Sequence, residues 1–293
     1  MEQNNALNAQ HNIVLGADIG GSHITTALIN RQSRTLVPGS FYREHVNAQG
    51  SAAAIIQAWA KVIRQSMQAA AGVQRIGIAM PGPFDYEAGI SFIKGLHKYE
   101  ALYGLNVKTL LAQELNMPAS CIKMANDAQC FLQGELFNGA VKDQPRAMGF
   151  TLGTGFGSAV AENGVARDLS YFNTPFKDAR AEEYFSARWI MQRYKDISGQ
   201  TAKNVKAIAG IAQTTPVVAA LFHEFGANLG EFTATLQPAP DLVVLGGNIA
   251  QTYSLFKGGL QEKIQEQGLP TTFVVSALGE QAALFGAAGM LFA

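Results

Sequence analysis

Two periods of apolar residues alternate along the chain. Residues 13–19 and 24–29 are short aliphatic and β-branched runs separated by turn residues, and they read as strands, with a third strand expected over 36–43. Residues 51–71 change period. Alanine, isoleucine, Trp59 and valine recur at helical spacing, Lys61 and Arg64 fall on the wet face, and Ser51 is placed to cap the start. A buried strand over 75–80 stops at Pro81-Gly82-Pro83. A helix over 109–115 ends at Met117-Pro118, a strand follows over 121–124, and Asn126 or Asp127 opens a helix to about Phe137. The second half reuses this plan. Strands are expected over 147–152 and 157–161, an irregular stretch over 162–180, and helices over 181–196, 203–212 and 215–236. A strand over 241–245 ends at Gly246-Gly247, another spans 272–275, and a helix of small residues covers 281–291. Strands alternating with helices predict an α/β fold whose sheets are covered on both faces.

The pattern also repeats. Ile13–Ser22 (IVLGADIGGS) runs into a second strand, and so does Ala147–Gly157 (AMGFTLGTGFG), each as strand, glycine turn, strand. Two copies predict two domains of like topology with a cleft between them, and Pro118 marks the boundary near 120. A glycine turn between strands leaves backbone N–H groups bare, so two such turns facing one another suit a polyphosphate.

Composition narrows the partners. Charged residues are only 15% of 293, which fits extensive burial and a subunit interface. Lysine plus arginine equals aspartate plus glutamate at 22 each, so no basic surplus invites nucleic acid or an anionic membrane. Two cysteines, Cys121 and Cys130, form no disulfide framework, which favours a reducing cytoplasm. The polar residues 1–11 read as a loose tail and lack the make-up of a signal peptide. The apolar stretch 215–222 is too short to span a membrane and fits a buried helix.

Several positions are candidates for chemistry. Asp18 ends a buried strand, where a carboxylate is costly unless it meets a cleft, a metal or donors. Beside Gly20, Gly21 and Ser22 it is placed to hold Mg²⁺ through water. The alternative is a plain hairpin. Gly153-Thr154-Gly155 lacks the helix that a dinucleotide fingerprint requires after its glycines, and no Walker lysine pattern is present. Gly246-Gly247 is either a simple strand-to-helix turn or a place where adenine or ribose approaches bare backbone. Gly226 and Gly230 lie four apart on a helix and fit helix packing. Asn126 and Asp127 are good helix caps; alternatively Asp127 accepts a hydroxyl proton while Asn126 grips a neighbouring hydroxyl. Asp168, Tyr171, Glu182 and Glu183 read by default as surface residues. The histidines show no metal-ligand spacing, and His11 falls in the tail.

In their order and spacing these segments resemble the ROK family of sugar kinases and sugar-responsive repressors, within the ribonuclease H-like, actin-like ATPase fold. Asp18–Ser22 resembles the first phosphate motif, Gly77–Pro83 the segment after it, and Ala125-Asn126-Asp127-Ala128 the catalytic signature. Leu152–Gly157 resembles the second phosphate motif, Leu245-Gly246-Gly247 the adenosine motif, and 281–289 the closing helix, which in this family packs back on the N-terminal domain. The resemblance implies a smaller domain of 1–120 plus 281–293 and a larger one of 121–280. It implies ATP-dependent phosphorylation of a hexose hydroxyl, of glucose or a related hexose or N-acetylhexosamine. Asp127 would be the general base, and Asn126, Asp168, Tyr171 and Glu182 would hold the sugar. Asp18, Gly20, Gly21, Ser22, Gly153, Thr154, Gly155, Gly246 and Gly247 would hold ATP and Mg²⁺, and the chain is expected to be a homodimer.

The sequence also departs from the family. No cysteine follows Cys130, so no structural zinc is expected at the family's usual place. Tyr171 stands where the family carries a histidine, and Asp168 where it carries a glutamate; packing of Tyr171, Phe172 and Phe176 is expected to hold the loop instead. About a dozen residues precede the first strand, too few for the DNA-binding domain of the repressors. The alternative to a kinase is a catalytically weak or inactive sugar sensor.

Overall fold

The computed structural model describes residues 12–292, so the expected tail, with His11, lies outside the described residues. The chain divides into two compact units, one running to Asp143 and resuming at Glu280, the other spanning Gln144–Gly279.

The first unit is built on six strands. These are β1 (Ile13–Ile19), β2 (His23–Asn30), β3 (Thr35–Leu36), β4 (Tyr42–His45), β5 (Ile76–Met80) and, after the small hairpin of β6 (Phe84–Asp85) and β7 (Ile90–Ser91), β8 (Ile122–Asn126). The path of the sheet is β3-β2-β1-β5-β8, with β4 also paired to β2. The strand expected over 36–43 is divided, because Pro38 removes a ladder donor and Gly39 turns the chain at φ +74°. Helix α1 (Ala52–Met67) begins where Ser51 accepts the Ala54 N–H. Its stripe of Ile55, Trp59, Val62 and Ile63 packs with Leu15, Ala17 and Ile19 of β1 and with Leu111 of α2 (Val107–Leu115).

Side chains alternate across a strand, so Gly16 and Asp18 face the other side of β1. That side is covered by α3 (Asp127–Asn138) and by the unit's last helix, a run of small residues over Ala282–Gly289. The approach is backbone to backbone. A Cβ on Gly16 would overlap the Leu284 carbonyl, and one on Gly286 would overlap the Cys130 carbonyl.

β8 pairs parallel with β5, and α3 follows it directly, so residues 121–143 belong to the first unit. The boundary expected near 120 is corrected to 143. Pro118 ends a helix, but it does not end a domain, because the next strand completes the same sheet.

The second unit repeats the topology. β9 (Arg146–Leu152), β10 (Phe156–Glu162) and β11 (Val165–Asp168) form an antiparallel meander. Past the short pair β12 (Pro175–Phe176) and β13 (Ala179–Arg180), β14 (Leu242–Gly246) and β15 (Thr272–Val275) add to β9 in parallel. The order β11-β10-β9-β14-β15 matches β3-β2-β1-β5-β8. The stretch expected to be irregular thus contains a fifth strand of the sheet, β11, whose Arg167 and Asp168 hid its period.

The helix expected over 181–196 is two, α4 (Ala181–Phe185) and α5 (Ala187–Ser198), broken at the extended Ser186. α6 (Val205–Ala212) and α7 (Pro216–Thr235) follow, α7 with proline at its start, where a missing N–H costs nothing. After β14 come α8 (Gly247–Ala250) and α9 (Tyr253–Glu266). α9 had no counterpart in the sequence reading, and the 282–289 helix becomes α10. The core of this unit is aromatic: Phe150, Phe156, Phe176 and Phe185 gather around Phe225, Leu229 and Phe232 of α7. Gly226 and Gly230 let α9 lie close along α7. Among the described residues no single helix is long and apolar enough to cross a membrane.

Candidate active site

In the first unit the candidate residues converge at the carboxyl ends of the parallel strands, where open α/β sheets place their ligands. Asp18, Ala79 and Ala125 form one row across β1, β5 and β8. Two residues past Ala125, Asp127 opens α3. Asn126 caps that helix by accepting the Ala128 N–H at 2.8 Å, and Asp127 Oδ1 accepts the same N–H at 2.9 Å. The Asn126 amide donates to the Tyr86 hydroxyl at 3.3 Å, and that hydroxyl donates to the Met80 carbonyl at 2.9 Å. Asn126 therefore caps and is oriented by a tyrosine, while the Asp127 side chain stands exposed.

The Asp18 carboxyl is raised from 3.8 to about 7. Burial is the first cause and repulsion from Asp127 the second; Arg43 works against both, and Glu280 adds to them. Arg43 is itself shared with Glu280 at 2.9 Å, so it only partly compensates. The Cys130 thiol, on the turn of α3 below Asp127, is pushed well above its ordinary value by burial and then by the same two aspartates. Burial, and the charge of Asp18, lift the Tyr99 hydroxyl to about 12. Two carboxylates thus lie close enough to be felt by each other and by their neighbours.

The first glycine turn adjoins them. The Gly20 N–H closes on the His23 carbonyl at 2.9 Å, and the Tyr99 hydroxyl donates to the Gly20 carbonyl at 2.7 Å. The N–H groups of Gly21 and Ser22 have no partner among the described residues, and both residues are exposed. Neither Gly20 nor Gly21 has positive φ, so the turn does not require glycine for its conformation. What the glycines contribute is open backbone: a Cβ on Gly21 would meet nothing closer than Lys98 at 3.6 Å.

In the second unit, the turn Gly153-Thr154-Gly155 joins β9 to β10. The Gly153 N–H closes on the Gly155 carbonyl at 3.0 Å, and the N–H groups of Thr154 and Gly155 have no partner among the described residues. Glu182, on α4, reaches this turn: its Oε2 accepts the Phe156 N–H at 3.2 Å. Gly246 pairs with Thr151, and Gly247, at φ +82°, lies so close to Leu152 that a Cβ would overlap its carbonyl. Glycine at 247 is thus demanded by the packing of β14 against β9.

Asp168 stands opposite Ala159 on β10 and accepts the Ser170 hydroxyl at 2.6 Å. The Tyr171 N–H donates to Ser158 Oγ at 2.9 Å, and its ring packs edge-on to Phe232 at 6.1 Å. The ring also lines a cavity of about 130 Å³ with Met148, Leu169 and Pro238. Phe176 is buried against Phe232 at 5.6 Å. Phe172 is 44% exposed, so it does not join the expected packing. The third member of the anchor is Lys177, which donates to Asn228 at 2.7 Å, pairs with Glu231 at 3.0 Å and lies over the rings of Phe176 and Tyr184.

The structure thus gathers Asp18, Gly20–Ser22, Asn126 and Asp127 in one unit, and Gly153–Gly155, Glu182 and Gly246–Gly247 in the other. Tyr86, Tyr99, Arg43, Glu280 and Ser158 were not singled out from the sequence; Tyr86, Tyr99, Arg43 and Glu280 reach the site from distant segments, and Ser158, on β10 just past the second turn, carries no motif of its own. Among the described residues no cluster of three or more histidine, cysteine or acidic side chains is placed to hold a metal.

Comparison with known proteins adds to this. An N-acetylgalactosamine kinase from Shewanella sp. (strain ANA-3) is 25% identical over 270 residues, covering 80% of this chain and 82% of its own length. An N-acetyl-D-glucosamine kinase from Salmonella paratyphi B is 25% identical over 291 residues, covering 87% and 90%. The ROK hexokinase of Thermus thermophilus superposes with a TM-score of 0.76 at 19% identity, over 94% of this chain and 96% of that one. A ROK glucokinase from Streptomyces griseus, solved with glucose and AMPPNP, gives 0.73 at 19% over 95% and 98%. The fold is the α/β fold of the actin-like ATPases. The model of the ROK family matches residues 14–168, more than half of the chain, and the chain belongs to that family.

Proposed function

We propose that the chain is an ATP-dependent sugar kinase that transfers the γ-phosphoryl group to a hydroxyl of a hexose or N-acetylhexosamine. The observation that carries this reading is the placement of Asp127, exposed at the start of α3, beside Asp18 at one end of the sheet, two residues past the row Asp18–Ala79–Ala125. A structural cap would not need a second carboxylate beside it. A general base next to a metal-binding aspartate would.

Asp127 accepts the proton of the attacking sugar hydroxyl. An ordinary carboxylate suffices, because a loose phosphoryl-transfer transition state depends on positioning and charge neutralisation more than on early deprotonation. Asn126, fixed by Tyr86, grips a neighbouring hydroxyl, and Asp168, Tyr171 and Glu182 serve the sugar. The unspent N–H groups of Gly21, Ser22, Thr154 and Gly155 serve phosphate oxygens, and Gly246–Gly247 the adenosine. Asp18 fits a hydrated magnesium ion: it offers hard oxygen ligands at a spot short of positive charge. When bound, that ion neutralises phosphate charge. The homodimer and a reducing, cytoplasmic setting belong to the same proposal, supported by the low charged fraction and the two free cysteines.

The test is ADP release with Mg-ATP across glucose, fructose, mannose, allose and N-acetylated hexosamines. Asp127→Asn is expected to lower kcat by about 10²–10⁴-fold with the fold intact. Near-normal turnover in that variant would remove Asp127 as base. Sugar binding without ADP from any sugar would favour the sensor, a reading that the packed Tyr171 and the Ser170-bonded Asp168 also suit.

A further inference from the structure

The second glycine turn is tied at both ends to the helical segment that carries Glu182. The Ala187 N–H, at the break between α4 and α5, donates to the Gly153 carbonyl at 2.7 Å. The Phe156 N–H donates to Glu182 Oε2 at 3.2 Å. The same oxygen stands 2.6 Å from the position a Cβ on Gly155 would take. Its partner oxygen is 3.4 Å from Arg188, which also lies 3.3 Å from Glu183 and so does not neutralise Glu182 alone. A carboxylate is therefore built into the edge of a turn whose remaining donors, the N–H groups of Thr154 and Gly155, are open.

Such a carboxylate does two opposite things. As an acceptor it fixes the turn; as a charge it repels an anion placed on the free donors. Hydroxyl groups that donate to the carboxylate spread its charge and weaken the repulsion without releasing the turn. Resting on the kinase reading above, we propose that Glu182 is a positioning residue that couples the two ligands: sugar on its carboxylate raises the affinity of the Gly153–Gly155 turn for nucleotide phosphates. Linkage then requires nucleotide to raise sugar affinity by the same factor.

The test separates charge from hydrogen bond in the full chain. Glu182→Gln keeps an acceptor oxygen for the Phe156 N–H and removes the charge; Glu182→Ala removes both. Calorimetry measures Mg-AMPPNP binding with and without the sugar most active in ADP release, and amide exchange by NMR reads Phe156 without ligand. In the wild-type chain, sugar is expected to tighten nucleotide at least about 5-fold. Glu182→Gln is expected to bind nucleotide about 5-fold tighter than wild type with no sugar present, and to lose most of the further gain. The Phe156 amide is protected in wild type and Glu182→Gln and exchanges faster in Glu182→Ala. Unchanged sugar-free nucleotide affinity in Glu182→Gln, or unchanged Phe156 exchange in Glu182→Ala, overturns the coupling. If turnover still depends on Asp127, only the coupling is lost. If wild type binds no nucleotide at all, the kinase reading and the coupling fall together.

Discussion

Replacing Asp18 by asparagine tests the electrostatics of the site without any ligand. An unfolded chain ionises this aspartate near 3.8, whereas the folded protein holds its proton to about pH 7. Between those values the native state binds the extra proton, so stability falls as pH rises from about 4 to 7; it is greatest below the window and levels off above it. A shift of about three units at about 1.36 kcal/mol each sets an upper bound near 4 kcal/mol. From pH 5 to 8 only about two of those units are crossed, about 2.7 kcal/mol at most, and the neighbours of Asp18 can relax, so a loss of about 1–2 kcal/mol is the expected size. The chain has two tryptophans, Trp59 in the first unit and Trp189 in the second, so Trp189→Phe leaves Trp59 to report the unit that holds Asp18. Urea unfolding at pH 5 and pH 8 should show the fall in that background, and Asp18→Asn should flatten it and be the more stable protein at pH 8. Asp127→Asn should flatten it in part, since burial outweighs the Asp127 repulsion. Stability that is level or rising between pH 5 and 8, and the same with asparagine at 18, refutes the reasoning.

Two further outcomes are expected. Gly286→Ala drives a methyl into the Cys130 carbonyl where α10 crosses α3, and thermal or urea unfolding should show a loss of about 1–3 kcal/mol; an unchanged midpoint would mean that the helices can part freely. Lys177→Met removes the Glu231 pair and the cation over Phe176 and Tyr184 but leaves the loop's aromatic packing, so a loss of about 1 kcal/mol is expected, with sugar KM raised more than kcat is lowered.

Local pattern was enough for most of the elements and for the duplicated strand–turn–strand. The alternating runs of β1, β2, β9 and β10 and the stripe of α1 are properties of adjacent residues, and the capping chemistry of Asn126-Asp127 needs only the next turn of helix. Boundaries suffered where a local signal was ambiguous. Pro118 looked like the end of a domain, and 162–180 looked irregular because β11 is short and polar at Arg167 and Asp168. The break at Ser186 had no local cause at all; there the Ala187 amide bonds to Gly153 instead of continuing a helix.

By itself, then, the sequence determined the alternation of strands and helices, the two glycine turns and the candidate base. Tertiary structure alone decided that 121–143 completes the first sheet, that Asp18 and Asp127 share one end of it, and that Glu182 braces the second turn. The division follows from range. Period and capping act over a few residues, whereas strand order, desolvation and charge coupling arise between segments that only the folded backbone brings side by side.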